Sequence, residues 1–483
     1  MSFTTFTFFA FMLVVWSLYW LIRRRTAQNV LLVVASYVFY GWWDWRFCSL
    51  MLVSSAVDYA AGLGLGAART PLARRLCLIA SLAANLGLLG FFKYYNFFVD
   101  SAIAAMRSLG LSPGDATLRI ILPVGISFYT FQTLSYTIDV YLGRIRPTKN
   151  PVDFFAYVAF FPQLVAGPIE RASHLLPQFH EPRHFDPAFA RDGLRLILWG
   201  VVKKMVLADN LAALVDPVYA RPDDAAGPML AVATVAFAFQ IYCDFSAYSD
   251  IAIGTARLLG FKLMRNFDHP YFSLDLAEFW RRWHISLSTW FRDYVFIPLG
   301  GSHPRNGSRL RTAFNVVATF VISGLWHGAS WNFVLWGLLH GVGVLPVLLR
   351  RDHVRRRPGD VTTLTPGNLA RMVGVFTLVC AAWVLFRART LGDAIEVYRG
   401  LTTRMLTGWG DTLALLFKQD QQLALTLHLA AFIVIEWLFR RHEHPLHAIH
   451  AARPVRWAIY TLLIYDLLLF GTRESGAFLY FQF

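Results

Sequence analysis

A chain of 483 residues with 56% apolar side chains and only 16% charged ones cannot cover a water-facing globule of that size, because an ordinary soluble domain carries about 25% charged residues. So much apolar surface also excludes disorder, and the medium left is the lipid bilayer. The net charge of +15 sits in short clusters between apolar runs, the pattern of positive-inside loops, so no nucleic-acid partner is expected.

In chain order, the first apolar run, 3–22, is followed by Arg23, Arg24 and Arg25. A signal peptide carries its charge ahead of its apolar segment, so this run reads as a retained first span. Further spans are expected at 29–43, 47–66, 76–98 and 119–141. Basic residues occupy alternate connections: Arg23 to Arg25, then Arg69, Arg74 and Arg75, then Arg144, Arg146 and Lys149. The links around Asp44 and from Asp100 to Asp115 are acidic or weakly charged. This alternation predicts an outside N-terminus and cytoplasmic basic links.

Residues 143–192 are rich in proline, histidine and mixed charge. Their one apolar piece, Val152 to Gly167, is short and broken by Pro162, Gly167 and Pro168, which predicts a re-entrant or interfacial segment. Spans or near-spans follow at 193–218, containing Lys203 and Lys204, whose charge predicts a cytoplasmic position, and at 227–243. Residues 267–311 are amphipathic. No Asp, Glu, Lys or Arg occurs from Thr312 to Leu349, so this stretch reads as a hairpin of two short spans. It is closed by Arg350, Arg351, Arg355, Arg356 and Arg357, expected in the cytoplasm. Spans at 368–387, 422–439 and 455–471 complete an all-α, polytopic chain of roughly eleven membrane helices plus re-entrant pieces. It is read as a single membrane-embedded domain, with N-terminal helices over 1–142, a core with re-entrant segments over 143–350 and C-terminal helices over 351–483. Cys48, Cys77, Cys243 and Cys380 are far apart in apolar surroundings and imply neither a disulfide framework nor a metal site.

Within the charge-free hairpin lies Ser323-Gly-Leu-Trp-His327-Gly-Ala-Ser-Trp-Asn332. An ionisable residue in such a segment is a functional candidate by default, and histidine exchanges protons near neutral pH. Gly324 and Gly328 permit close approach, and Trp326 and Trp331 are placed to wall a pocket. The competing reading is a core histidine bonded to a carbonyl. The second candidate is the Arg/Trp/His-rich run 278–293. Read as one helix, it gathers Trp283, Ser286 or Leu287, and Trp290, with Arg281, His284 and Ser288 on a neighbouring face. Arg281 and Arg282 suit phosphate or carboxylate, although an interfacial anchor explains the same residues. Glu170, beside Arg171, reads as structural. Asp244 and Asp250 either line a polar path or pair with Lys203, Lys204 or an arginine. His442, His444, His447 and His450 have metal-capable spacing but sit in a basic loop and read as a solvated link. No Gly-x-Ser-x-Gly elbow, P-loop, His-Glu-x-x-His or dinucleotide motif appears.

Five blocks resemble the membrane-bound O-acyltransferase family, in the bacterial branch that includes the membrane subunit of alginate O-acetylation. They are Phe160 to Arg171 (FFPQLVAGPIER), Asp244 to Asp250 (DFSAYSD), Phe279 to Ser288 (FWRRWHISLS), Ser323 to Asn332 (SGLWHGASWN) and Phe478 to Phe483 (FLYFQF). The resemblance implies many helices around a tunnel joining the two membrane faces. It makes the residue matching His327 catalytic, with His284 as its second histidine. It further implies a cytoplasmic acetyl thioester donor and an exported polysaccharide acceptor such as alginate, a periplasmic partner acetyltransferase, and residence in the bacterial inner membrane. Acetyl-CoA is the expected donor, as a co-substrate rather than a bound cofactor. His327 is then either a general base or the acylated group itself, and His284 orients it or polarises the carbonyl. Arg281 and Arg282, by their charge, are candidates for the donor phosphates, with Trp326, Asn332 and Ser288 as further substrate contacts. The rival classes are a transporter or flippase of a polysaccharide export system, for which the sequence shows no internal repeat, and a non-catalytic scaffold.

Overall fold

Several helices in this chain begin where the sequence supplies a cap. The hydroxyls of Thr5, Thr70, Ser308 and Thr365 accept backbone N–H groups of the following turn, Asn150 and Asp275 do so with their side-chain oxygens, and Thr390 and Asp393 form a capping box. Each satisfies a donor that the helix itself leaves unbonded. Pro71, Pro151 and Pro366 stand in the first turn, where the missing N–H costs nothing.

The computed structural model describes residues 1–114, 116–301, 308–348, 363–447, 449, 452–472 and 478–479, and all regular structure among them is helical. The basic cluster from Arg350 to Arg357, Asp115, His450 and Tyr480 to Phe483 lie outside the described residues. Among the described residues, six helices are long and apolar enough to cross a membrane. They are Phe47–Ala67, Pro71–Ser108, Gly227–Leu258, Trp331–Leu348, Pro366–Arg387 and Asp420–Leu438. The other expected spans are helical but do not reach that standard. Phe6–Leu21 and Ile126–Tyr141 have only 16 residues each, and the latter buries Ser127, Thr130, Gln132, Thr133, Ser135, Thr137 and Asp139 along its length.

The chain divides into two compact units, residues 1–193 with 255–264, and residues 194–254 with 265–483. In the first unit, the Asp58 carboxylate receives the Ser81 hydroxyl, the Asn85 amide at 2.7 Å and the Thr137 hydroxyl at 2.9 Å. Three helices are thereby joined by a buried polar knot. The apolar piece expected to be re-entrant is a nine-residue helix, Pro151–Ala159, followed by turns through 167, and it is buried throughout its second half. Glu170 acts structurally: its carboxylate takes the Met264 amide and lies 2.7 Å from His174 Nδ1.

In the second unit, the lysine pair of the 193–218 segment is internal. Lys203 bonds Asp250 at 2.7 Å and the Ser246 hydroxyl at 2.7 Å. Lys204 bonds Asp244 at 2.6 Å and Asp209 at 2.7 Å. The pairing alternative therefore describes Asp244 and Asp250, and with Lys203 4% and Lys204 1% exposed this is no exposed basic link. The Phe478 ring lies 4.5 Å from the Lys204 ammonium, and the Leu479 amide donates to Asp244 at 2.8 Å. A buried charge is tolerable only with such complete pairing. The histidine-rich stretch is likewise not wholly solvated, because His444 is buried and its Nδ1 accepts the His447 amide.

Candidate active site

The hairpin expected from the charge-free run is present as Arg309–His327 and Trp331–Leu348. Its two helices touch backbone to backbone. A Cβ at Gly324 would stand 2.1 Å from the Phe333 carbonyl, and one at Gly337 would stand 2.3 Å from the Phe320 carbonyl. Small residues at such crossings are what allow membrane helices to pack this closely. The close crossing lodges His327, the last residue of its helix, among the rings of Trp326, Trp336 and Phe386, with centroids 5.0, 5.1 and 5.5 Å away.

His284 arrives from a different element. The run 278–293 is not one helix: it breaks between Leu276–Arg282 and Ile285–Phe291, and His284 sits in the break with φ 43° and ψ 55°. A left-handed backbone at a non-glycine residue costs on the order of 1–3 kcal/mol, and such strain gathers at functional sites. The break rotates the predicted faces, turning His284 inward to full burial. Its ring packs edge-on to Phe245 at 4.6 Å and lies 6.0 Å from Trp326 and 6.3 Å from His327. At that centroid separation the two imidazoles do not reach each other for a direct hydrogen bond, and aromatic rings pack against both.

The remaining predicted residues divide. Trp326 is buried against both histidines. Trp331, by contrast, is 53% exposed, and the second wall is Trp336. Arg282 is buried and bonded to Glu278 at 2.8 Å and to the Asp268 carbonyl at 3.3 Å, so it braces the break. Arg281 is half-buried on the same helix. Ser288 donates to the Trp283 carbonyl at 3.2 Å, and Asn332 to the Ala388 carbonyl at 2.8 Å. Both hydrogen bonds fasten the framework around the histidines.

One residue escaped the sequence reading. His340, 1% exposed, accepts the Trp280 indole N–H on Nδ1 at 3.3 Å and packs 4.9 Å from Trp336, the ring that also touches His327. Its position in the same charge-free hairpin was the available signal. An apolar cavity of about 460 Å³ lies elsewhere in this unit, walled by Tyr242, His269, Phe376 and Glu436 among others; neither His284 nor His327 lines it.

Residues 144–386 match the membrane-bound O-acyltransferase family, MBOAT. Among curated proteins, the "Probable alginate O-acetylase AlgI" of Azotobacter vinelandii is 42% identical over 88% of this chain and 82% of its own length. The "Peptidoglycan O-acetyltransferase" of Helicobacter pylori is 35% identical over 77% of this chain and 73% of its own. A "Teichoic acid D-alanyltransferase" of Streptococcus thermophilus is 32% identical over 54% of this chain and 66% of its own.

Proposed function

The chain belongs to the membrane-bound O-acyltransferase family, and from that premise we propose that this multi-pass membrane O-acyltransferase accepts an acetyl group from a cytoplasmic thioester. The donor in this reading is acetyl-CoA. The acetyl group passes across the bacterial inner membrane for O-acetylation of an exported polysaccharide, alginate or a similar polymer, with a periplasmic acetyltransferase as partner. Roughly eleven crossings around a tunnel supply the route, the six apolar spans being supplemented by the shorter and more polar helices. The likeness to the alginate and peptidoglycan O-acetylating relatives supports a polysaccharide acceptor.

The observation that carries the reading is the His284–His327 pair, buried and 6.3 Å apart between aromatic walls. His327 takes the proton of the acceptor hydroxyl as its oxygen attacks the thioester carbonyl. His284 donates a hydrogen bond to the oxyanion. The C–S bond then breaks, and the thiolate recovers the proton from His327. General-base help of this kind contributes about 10²–10⁴-fold, and an oxyanion donor about 10²–10³-fold. His327 as the acylated nucleophile is the covalent variant of the same geometry.

The test is O-acetyl ester content of the secreted and envelope glycans in wild type, deletion and His327→Ala strains at matched levels of inserted protein. We expect one polymer to lose its esters in both altered strains. Esters retained in a stable His327→Ala strain would make the histidine structural, and unchanged esters with altered polymer export would identify a transporter.

A further inference from the structure

His284 owes its place to a residue outside the run that carries it. The helix that follows, Ile285–Phe291, has no side-chain cap of its own, and the left-handed turn at His284 must be held from elsewhere. The stretch 266–268 does this. The Asn266 carbonyl accepts the Ile285 amide at 2.9 Å, and the Asp268 amide donates to the Arg282 carbonyl at 2.9 Å, so the backbone is fixed on both sides of His284. The Asn266 side chain completes the hold: its Oδ1 accepts the Ser286 hydroxyl at 2.9 Å and the Ser286 amide at 3.3 Å, while its Nδ2 donates to the Ser249 hydroxyl at 3.1 Å. Asn266, Ser286 and Ser249 are each no more than 2% exposed. Ser249 belongs to helix Gly227–Leu258, which also supplies Phe245, the ring against His284. One amide therefore ties the strained histidine turn to the helix that forms its wall.

We propose that Asn266 is the positioning residue of the acyl-transfer site, fixing the His284 imidazole opposite His327 through Ser286 and Ser249. The proposal rests on the acyltransferase reading of the histidine pair. An amide is suited to the task because its oxygen accepts from Ser286 while its nitrogen donates to Ser249, a division that a carboxylate, which only accepts, does not reproduce with both serines as they stand. A shift of about 1 Å in a catalytic group costs on the order of 10²-fold in rate, and Asn266 acts only through that placement.

The experiment measures the initial rate of radiolabelled acetyl transfer from acetyl-CoA in membranes of cells making the polymer, at matched amounts of inserted protein. Asn266→Ala is expected to lower kcat by about 10²-fold with donor KM unchanged. Ser286→Ala, which removes one bond and leaves Asn266 in place, is expected to give a smaller fall of the same kind, and it carries the test should Asn266→Ala fail to insert. In a His284→Ala background neither substitution lowers the rate further, because residues acting as one unit are not additive. Independent, additive losses in that background, or wild-type kcat in both single variants, overturn the proposal while an inactive His327→Ala leaves the functional reading standing. Full transfer by His327→Ala defeats the functional reading itself.

Discussion

Single residues in this chain are legible to the extent that their partners are near in sequence. His327 stands out because nothing charged surrounds it for many residues on either side. The Glu278–Arg282 pair follows the i, i+4 spacing of a helix, and that spacing, more than the positive charge, indicates that Arg282 braces structure. Asn266 carries no comparable signal, since the serine it holds is 20 positions away. His174 offers a test at this scale. Its hydrogen bond to Glu170 raises its pKa above the ordinary histidine value, against an opposing effect of partial burial. A histidine whose folded value exceeds its unfolded one, about 6.5, contributes stability that is full below that pH and is lost as pH rises through the raised value. The melting temperature of wild type should therefore exceed that of His174→Gln at about pH 6, and the gap should narrow toward pH 9. A gap that widens with pH would contradict the pairing. The effect is modest because the imidazole is 45% exposed.

Among elements, the sequence's periodicity located helices well and their interruptions poorly. The hairpin is evident from the absence of charge over 312–349, and its turn occupies residues 328–330. The break at His284 was invisible, because residues 278–293 alternate aromatic and basic side chains in a way that fits an unbroken helix, and only tertiary bonds from 266–268 favour the left-handed turn. That only six of the described helices are long and apolar enough to cross a membrane has a related reason. Helix Ile126–Tyr141 has apolar stretches in its sequence but spends its polar side chains on protein partners such as the Asp58 knot. The hairpin crossing supplies the prediction at this scale. Gly324→Val places a branched side chain where a Cβ already stands 2.1 Å from a carbonyl, so the helices must separate one turn before His327. Overpacking of that kind costs about 1–3 kcal/mol or more. A lowered melting temperature in detergent together with loss of ester formation is expected, while a fully active, equally stable Gly324→Val would show that the crossing does not position His327.

For the molecule as a whole, composition settled the medium and the motif blocks settled the family, but neither revealed that separate blocks converge. Asp244 of one block receives the Leu479 amide of another, and Phe478 covers the lysine that Asp244 neutralises. A chain stopped after Thr472 should consequently be destabilised by about 1–3 kcal/mol from the bond lost to a buried carboxylate, with a further 1–2 kcal/mol from the uncovered ammonium. Thermal unfolding of the inserted, truncated protein measures this, and an unchanged midpoint would remove the tail from the core. The two partners of that bond are 235 positions apart. At a synthesis rate of about 5–20 residues per second, a nascent chain carries Asp244 for roughly 10–50 s before Leu479 exists. During that interval the lysine–aspartate cluster lacks one donor and one covering ring. Closure of this core therefore waits on synthesis through Leu479, and a premature stop upstream of Phe478 yields a polypeptide with its spans made and its charges incompletely enclosed, a natural substrate for membrane quality control.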